Sequence, residues 1–165
     1  SVLMQTLACI EQGLSEWETV EQVKLPPAYQ NKPYLGEFYG TIQWSVRAIY
    51  NGYLGWFDGN PTNLERLPEN VYSQKLLALI GSEDKVLTEI ETALAEDEPQ
   101  MALQLCDLLL TAGFSAAQAS ALKRQAMLMM AERVSSANGR HYYLVSAKDP
   151  APAKELKLLP PEPEK

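Results

Sequence analysis

Residues 39–61 read Tyr39-Gly-Thr-Ile-Gln-Trp-Ser-Val-Arg-Ala-Ile-Tyr-Asn-Gly-Tyr-Leu-Gly-Trp-Phe-Asp-Gly-Asn-Pro61. Five of these residues are Gly or Pro, the usual composition of a loop. Tyr39, Trp44, Tyr50, Tyr53, Trp56 and Phe57 argue against one, because side chains of that size normally bury large areas. Ile42, Val46, Ile49, Tyr50, Tyr53, Leu54 and Phe57 recur at gaps of mostly three and four, which is one face of a helix. The opposite face, Gln43, Arg47 and Asn51, is not strongly polar. The pattern therefore predicts a helix over 41–57 that is buried on most sides, with glycines that let another surface approach closely. Asp58-Gly-Asn-Pro61 closes the run as a turn, in which Gly59 supplies positive φ and Pro61 pushes Asn60 extended.

The same grammar extends to both sides. Val2, Leu3, Thr6, Leu7 and Ile10 repeat at helical spacing up to Gly13. Ser15-Glu-Trp-Glu18 matches a capping box and predicts a short helix stopped by Pro26-Pro27. Residues 31–40 read as irregular. Beyond Pro68 the chain becomes a series of amphipathic helices punctuated by Gly81, Ser82, Glu98-Pro99, Gly113 and Ser115. The predicted helices are 2–12, 16–23, 41–57, 69–80, 83–95, 99–112, 115–135 and 138–146. No window alternates apolar and polar residues between turn signals, so the fold class is all-α, with about seven to eight helices. The segments around Ala102–Leu110 and Ala117–Ala126 resemble one tetratricopeptide-type helical hairpin, a unit that must stack on neighbours to cover its faces. Residues 1–147 form the predicted domain. Residues 148–165 hold five prolines in eighteen residues and read as a linker or tail.

The chain's chemistry is sparse. Its one histidine, His141, cannot assemble a zinc site of three or four ligands or serve a nucleophile without partners, and reads as a packed or surface residue. No phosphate-binding glycine loop occurs. Glu16, Glu18 and Glu21, like Glu89, Glu91, Glu96 and Asp97, read as solvated helix surface. Arg47, flanked by Val46, Ala48 and Ile49, is the residue that needs an explanation, because burying it without an anion is costly. Its partner is Asp58, a glutamate elsewhere or an external anion, and an internal salt bridge is the preferred reading. Tyr50 and Tyr53 each present a phenol O–H from an apolar platform, a donor suited to an oxyanion.

Bulk properties exclude other classes. A net charge of −7 over 165 residues, with no Lys/Arg cluster, argues against a nucleic-acid surface. No stretch approaches the roughly 20 apolar residues of a membrane span. The apolar first residues lack a basic flank, so they do not read as a signal peptide, and the absence of an initiator Met predicts a piece of a longer protein. Cys9 and Cys106, 97 positions apart, read as small buried residues, and a single disulfide is compatible with them but not demanded.

Tyr39-Gly-Thr, Ser45-Val-Arg-Ala-Ile-Tyr50 and Tyr53-Leu-Gly-Trp-Phe-Asp-Gly-Asn-Pro-Thr-Asn-Leu64 resemble the central dimerisation domain of the zinc-dependent alkyl sulfatases, members of the metallo-β-lactamase superfamily. Leu25-Pro-Pro27, Leu67-Pro68 and Asn138-Gly-Arg-His-Tyr-Tyr-Leu144 support the likeness, which covers nearly the whole chain. The resemblance implies an excised middle domain. In the parent it is preceded by a catalytic domain with two zinc ions, whose ligands this sequence does not contain, and followed by a domain similar to sterol carrier proteins. It implies a homodimer, contact with the adjacent domains, and hydrolysis of alkyl sulfate esters by the parent, with this chain alone inactive and holding no cofactor. A periplasmic or secreted setting is also implied. By position Tyr53 matches the family's sulfate-pocket tyrosine, with Tyr50 the second choice and Arg47 and Trp56 beside them. Leu103, Leu110, Phe114, Leu128, Met127, Met129 and Met130 supply surplus apolar surface for pairing. The competing reading is a stand-alone tetratricopeptide-like module holding a protein or amphiphile in a groove formed after Ser82, where few polar residues are available to line one.

Overall fold

The computed structural model describes residues 1–30 and 32–150. Among these, the regular elements are all helical: α1 (Val2–Glu11), α2 (Glu16–Gln22), α3 (Pro27–Gln30), α4 (Ile42–Leu54), α5 (Glu69–Ile80), α6 (Glu83–Ala95), α7 (Pro99–Ala112), α8 (Ala116–Arg133) and α9 (Ala137–Ser146), with single 3-10 turns at Pro33–Leu35 and Pro61–Asn63. The chain divides into two compact units. One comprises residues 1–67 with 131–142, and the other, among the described residues, 68–130 with 143–150. The Pro-rich segment expected as a linker lies, from residue 151, outside the described residues.

In the first unit α4 packs on both α1 and α2. Cys9, Val20, Val23 and Val46 form its buried cluster, with Val2, Leu14 and Ile42 against them. The local signals act as the sequence dictates. Gly13 at φ +75° ends α1 while the N–H groups of Gly13 and Leu14 donate to Ile10 and Cys9, the paired bonds of a Schellman motif. Ser15 Oγ accepts from the Glu18 backbone N–H as the Glu18 carboxylate accepts from Ser15 N–H, closing the capping box. Pro27 stands at the first position of α3, where a missing N–H costs nothing. Reading Pro26-Pro27 only as a stop missed that turn.

The segment before α4 is tied to the segment before α9. Ala137 N–H donates to the Phe38 carbonyl at 2.6 Å, and Ser136 Oγ–H to the Tyr39 carbonyl at 2.5 Å. Within the same unit Trp44 lies against Gly139, where an added Cβ would sit 3.4 Å from the indole. The close approach at a glycine thus occurs in α9. The glycines of the aromatic run behave differently: Gly52, Gly55 and Gly59 have nothing within 4 Å of a built Cβ.

In the second unit α7 packs on α5 and α6. Ile90, Ala102, Cys106, Leu109, Ala119 and Ala126 are fully enclosed in one cluster with Leu77, Val86, Leu103 and Met127. Burying a Leu or Ile side chain contributes about 2 kcal/mol, so this contiguous cluster is the unit's main stabilising term. Leu103 and Met127 are therefore core residues, and Leu110, Met129 and Met130 pack partly against that core. Of the apolar surface expected to be surplus, only Phe114 and Leu128 remain well exposed. The correction has a simple cause: Leu103 and Met127 are enclosed in the same cluster as Ala102, Ala119 and Ala126, so they are spent on the unit's own core. Cys9 and Cys106 are both free thiols, each buried in its own unit's cluster.

Candidate functional site

Helix α4 begins under double control. Thr41 Oγ1 accepts from Trp44 N–H at 3.1 Å, and the Glu37 carboxylate accepts from Ile42 N–H at 2.6 Å, so two of the orphan donors of the first turn are satisfied. The helix stops at Leu54 rather than at residue 57. Gly55 adopts φ +77°, ψ −167°, a conformation essentially reserved for glycine, and its N–H closes the last turn on the Asn51 carbonyl. Trp56 and Phe57 continue the apolar pattern in sequence but lie beyond the helix, edge to face at 5.8 Å.

The face of α4 bearing Val46 and Tyr50 is the anchored one. Val46 is fully buried, and the half-turn beyond it carries the polar contacts to the start of α2. Tyr50 is buried and its phenol O–H donates to the Leu14 carbonyl at 2.9 Å. Burial first, then the charges of Glu16, Glu18 and Asp58, push the Tyr50 phenol above its ordinary value, so it remains a neutral donor. Arg47 pairs with Glu16 at 3.3 Å, and its guanidinium lies 4.1 Å from the centre of the Trp17 ring. Glu16 also accepts from Asn51 Nδ2 at 2.6 Å. The internal salt bridge expected for Arg47 is thus present, with Glu16 as the glutamate. Neither Glu16 nor Trp17 was singled out by sequence, because helix-surface acids and an exposed tryptophan carry no signal of a partner some thirty residues away.

The other faces are open. Tyr53 is 63% exposed and Trp56 74%, with Leu54, Phe57, Leu64 and Leu67 also exposed. The expectation of a helix buried on most sides is corrected here: only Val46 and Tyr50 of α4 are enclosed. Earlier in the same unit Tyr29, Tyr34, Phe38 and Tyr39 are exposed as well. After α4 the turn is rigid by its own hydrogen bonds. Asp58 accepts from Asn60 N–H at 3.0 Å and from Asn63 Nδ2 at 2.5 Å, which holds its carboxyl below the ordinary range, and Asn60 Oδ1 accepts from Thr62 N–H.

Of the four residues assigned to the site by sequence, the structure turns Tyr53 and Trp56 outward and engages Tyr50 and Arg47 internally. None of them lines the unit's cavity of about 410 Å³, whose walls include Val23, Lys24, Glu37, Ile42, Arg133 and Ser136. Helices α6 and α7 contribute nothing to that cavity. Among the described residues no three His, Cys, Asp or Glu side chains come together to hold a metal ion. No helix of the described residues is long and apolar enough to cross a membrane. His141 is an exposed residue of α9.

An all-helical domain with a solvent-facing aromatic edge is the class these observations define. The chain belongs to the alkyl sulfatase dimerisation family, whose model matches residues 15–151 and so runs through both units. It is 38% identical to a linear primary-alkylsulfatase of a Pseudomonas species, over 87% of this chain and 27% of that protein. It is 31% identical to an (R)-specific secondary-alkylsulfatase of Pseudomonas sp., over 87% of this chain and 22% of that protein. The fold matches the solved structure of the stereoselective inverting sec-alkylsulfatase Pisa1 from Pseudomonas sp. with a TM-score of 0.83 at 29% identity, covering 92% of this chain and 25% of that one. The chain thus spans about a quarter of the length of the relatives it matches.

Proposed function

We propose that this chain is the dimerisation domain of a longer alkyl sulfatase, that it pairs two copies of that protein, and that its aromatic edge closes against the catalytic part of the same polypeptide. The observation that carries this reading is the exposure of Tyr53 and Leu54 in the last turn of α4, and of Trp56 and Phe57 just beyond it, after a helix anchored through Val46 and Tyr50. A contiguous apolar surface of this kind is expensive to leave in water and marks an association site. Family membership supports the pairing of two copies, and the length of the relatives supports a further part of the polypeptide that could cover the edge.

In this reading the parent hydrolyses alkyl sulfate esters to an alcohol and sulfate. Zinc is proposed for the parent and is held outside this chain, because the donors described here do not converge on a metal ion. Tyr53 is the proposed contributor to the sulfate pocket: its phenol O–H is a hydrogen-bond donor on an exposed side chain, able to reach a sulfate oxygen. Trp56, which stands edge to face with Phe57, is proposed as a wall of the same pocket. Tyr50 and Arg47 belong to the same proposed site, supporting it from the anchored side through the bonds they already make.

The test uses the full-length sulfatase that carries this domain. Tyr53→Phe removes one oxygen from an exposed side chain and should leave the fold intact. Loss of a hydrogen bond to a charged group costs about 1.5–3 kcal/mol, so kcat/KM for an alkyl sulfate should fall roughly ten- to a hundredfold. An unchanged kcat/KM would reduce Tyr53 to a packing residue.

A further inference from the structure

We infer that Arg47 is a positioning residue, gripped between the Glu16 carboxylate and the Trp17 ring, that fixes the rotation of α4 and with it the aim of Tyr53. The inference rests on the proposed role of Tyr53, but its geometry stands in this chain alone.

Three residues of α4 at positions i, i+3 and i+4 all reach one short stretch of the chain. Arg47 meets Glu16 at 3.3 Å and Trp17 at 4.1 Å, Tyr50 O–H donates to the Leu14 carbonyl at 2.9 Å, and Asn51 Nδ2 donates to Glu16 at 2.6 Å. The receiving stretch is itself fixed, because Ser15 and Glu18 close a capping box within it. Glu16 thereby takes two charge-assisted partners from adjacent turns of α4, and the guanidinium is held on two sides at once. Its second side is a flat aromatic face, which a lysine ammonium does not match.

The consequence follows from helix geometry. At 3.6 residues per turn, Tyr53 lies six residues on from Arg47, about 120° around the axis, and seven on from the buried Val46, within about 20° of it, so it is exposed because it stands in the last turn, past the anchored residues. Tyr53 is 63% exposed, and α4 ends one residue later at Leu54, capped by Gly55. The anchored turns before it set where Tyr53 points. Val46 and Tyr50 hold α4 in place, while Arg47 and Asn51 resist its rotation. A small rotation displaces an outward phenol by about an ångström, and a misplacement of that size costs up to about 100-fold in a positioned reaction.

The decisive experiment pairs two readouts. In the 165-residue chain, Arg47→Ala should speed hydrogen exchange at the backbone amides of Tyr53 and Leu54 at least about tenfold, with the α6 and α7 amides unchanged. Arg47→Lys, which keeps the Glu16 pair but not the flat stack, should fall between. In the full-length sulfatase, Arg47→Ala should lower kcat/KM about tenfold, and adding Tyr53→Phe to it should cost far less than Tyr53→Phe costs alone. Unchanged exchange at Tyr53 and Leu54 overturns the inference, as does full additivity of the two substitutions. Should Tyr53→Phe alone leave the rate untouched, the role proposed for Tyr53 fails while the exchange measurement still decides whether Arg47 fixes α4.

Discussion

Lys123 of α8 and Asp107 of α7 form an ion pair at 2.5 Å whose two members sit in different surroundings. The Lys123 side chain is 8% exposed, and Asp107 is 55% exposed. Removing the outer partner by Asp107→Ala strands an ammonium inside the second unit. Breaking a fully buried pair costs about 3–5 kcal/mol, and the partial exposure of Asp107 scales this down to about 2 kcal/mol. Removing the inner partner by Lys123→Met leaves an unbranched side chain of similar length in the same space and returns Asp107 to water. That change should fall within about 0.5 kcal/mol of zero. The double variant should resemble Lys123→Met, because the stranded charge is gone. Urea titration followed by circular dichroism at 222 nm reads the difference: with a slope of about 2 kcal/mol/M, Asp107→Ala lowers the midpoint by about 1 M. Trp17, Trp44 and Trp56 all belong to the first unit, so their fluorescence provides an internal control for the site of the effect. If Lys123→Met costs as much as Asp107→Ala, the asymmetry argument is wrong.

Gly113 ends α7 at φ +86°, so Gly113→Ala should cost about 1 kcal/mol in the same titration, although nothing stands within 4 Å of the added Cβ. Cys106 is fully buried and its thiol is pushed up to about 11, first by burial and then by Asp107, with Lys123 opposing. Because Cys9 and Cys106 are both buried, a thiol reagent at pH 8 should leave both untouched until denaturant is added, and then react with two. The Glu18 carboxyl is held below its ordinary 4.5 by the Ser15 side-chain and backbone bonds, so its small stabilising effect is present above that value and fades as the pH falls through the folded-state value. Ser15→Ala should remove the side-chain share of that acid dependence and leave the backbone share, measured as a difference in midpoint between pH 7 and pH 3.

The parts of the fold that were legible are those with local causes. Helices 69–80, 83–95 and 99–112 coincide with the predicted ranges because Gly81, Ser82, Pro99 and Gly113 each do one job at a terminus, independent of distant residues. The misreadings share a different origin. Apolar periodicity carried the α4 prediction to Phe57, but it cannot distinguish an apolar residue that faces the core from one that faces water, and Gly55 breaks the helix first. The same blindness made α4 look buried and made Leu103 and Met127 look available. Of the proposed site, Arg47 was legible as a problem, since a lone cation among apolar residues demands an anion. Its solution was not legible, because Glu16 reaches it only through the packing of α2 on α4. Lys123 passed unnoticed for the same reason: its burial and its pairing with Asp107 arise from tertiary packing, not from its own neighbours in sequence.

Association itself is open to one direct measurement. Multi-angle light scattering on the 165-residue chain, over a dilution series from micromolar to near-millimolar protein, reports its molar mass without reference to catalysis. The account predicts a rise with concentration toward twice the 18.4 kDa of the single chain, with a two-fold contact burying at least about 1,000 Å². A mass that stays at 18.4 kDa across the whole series would contradict it.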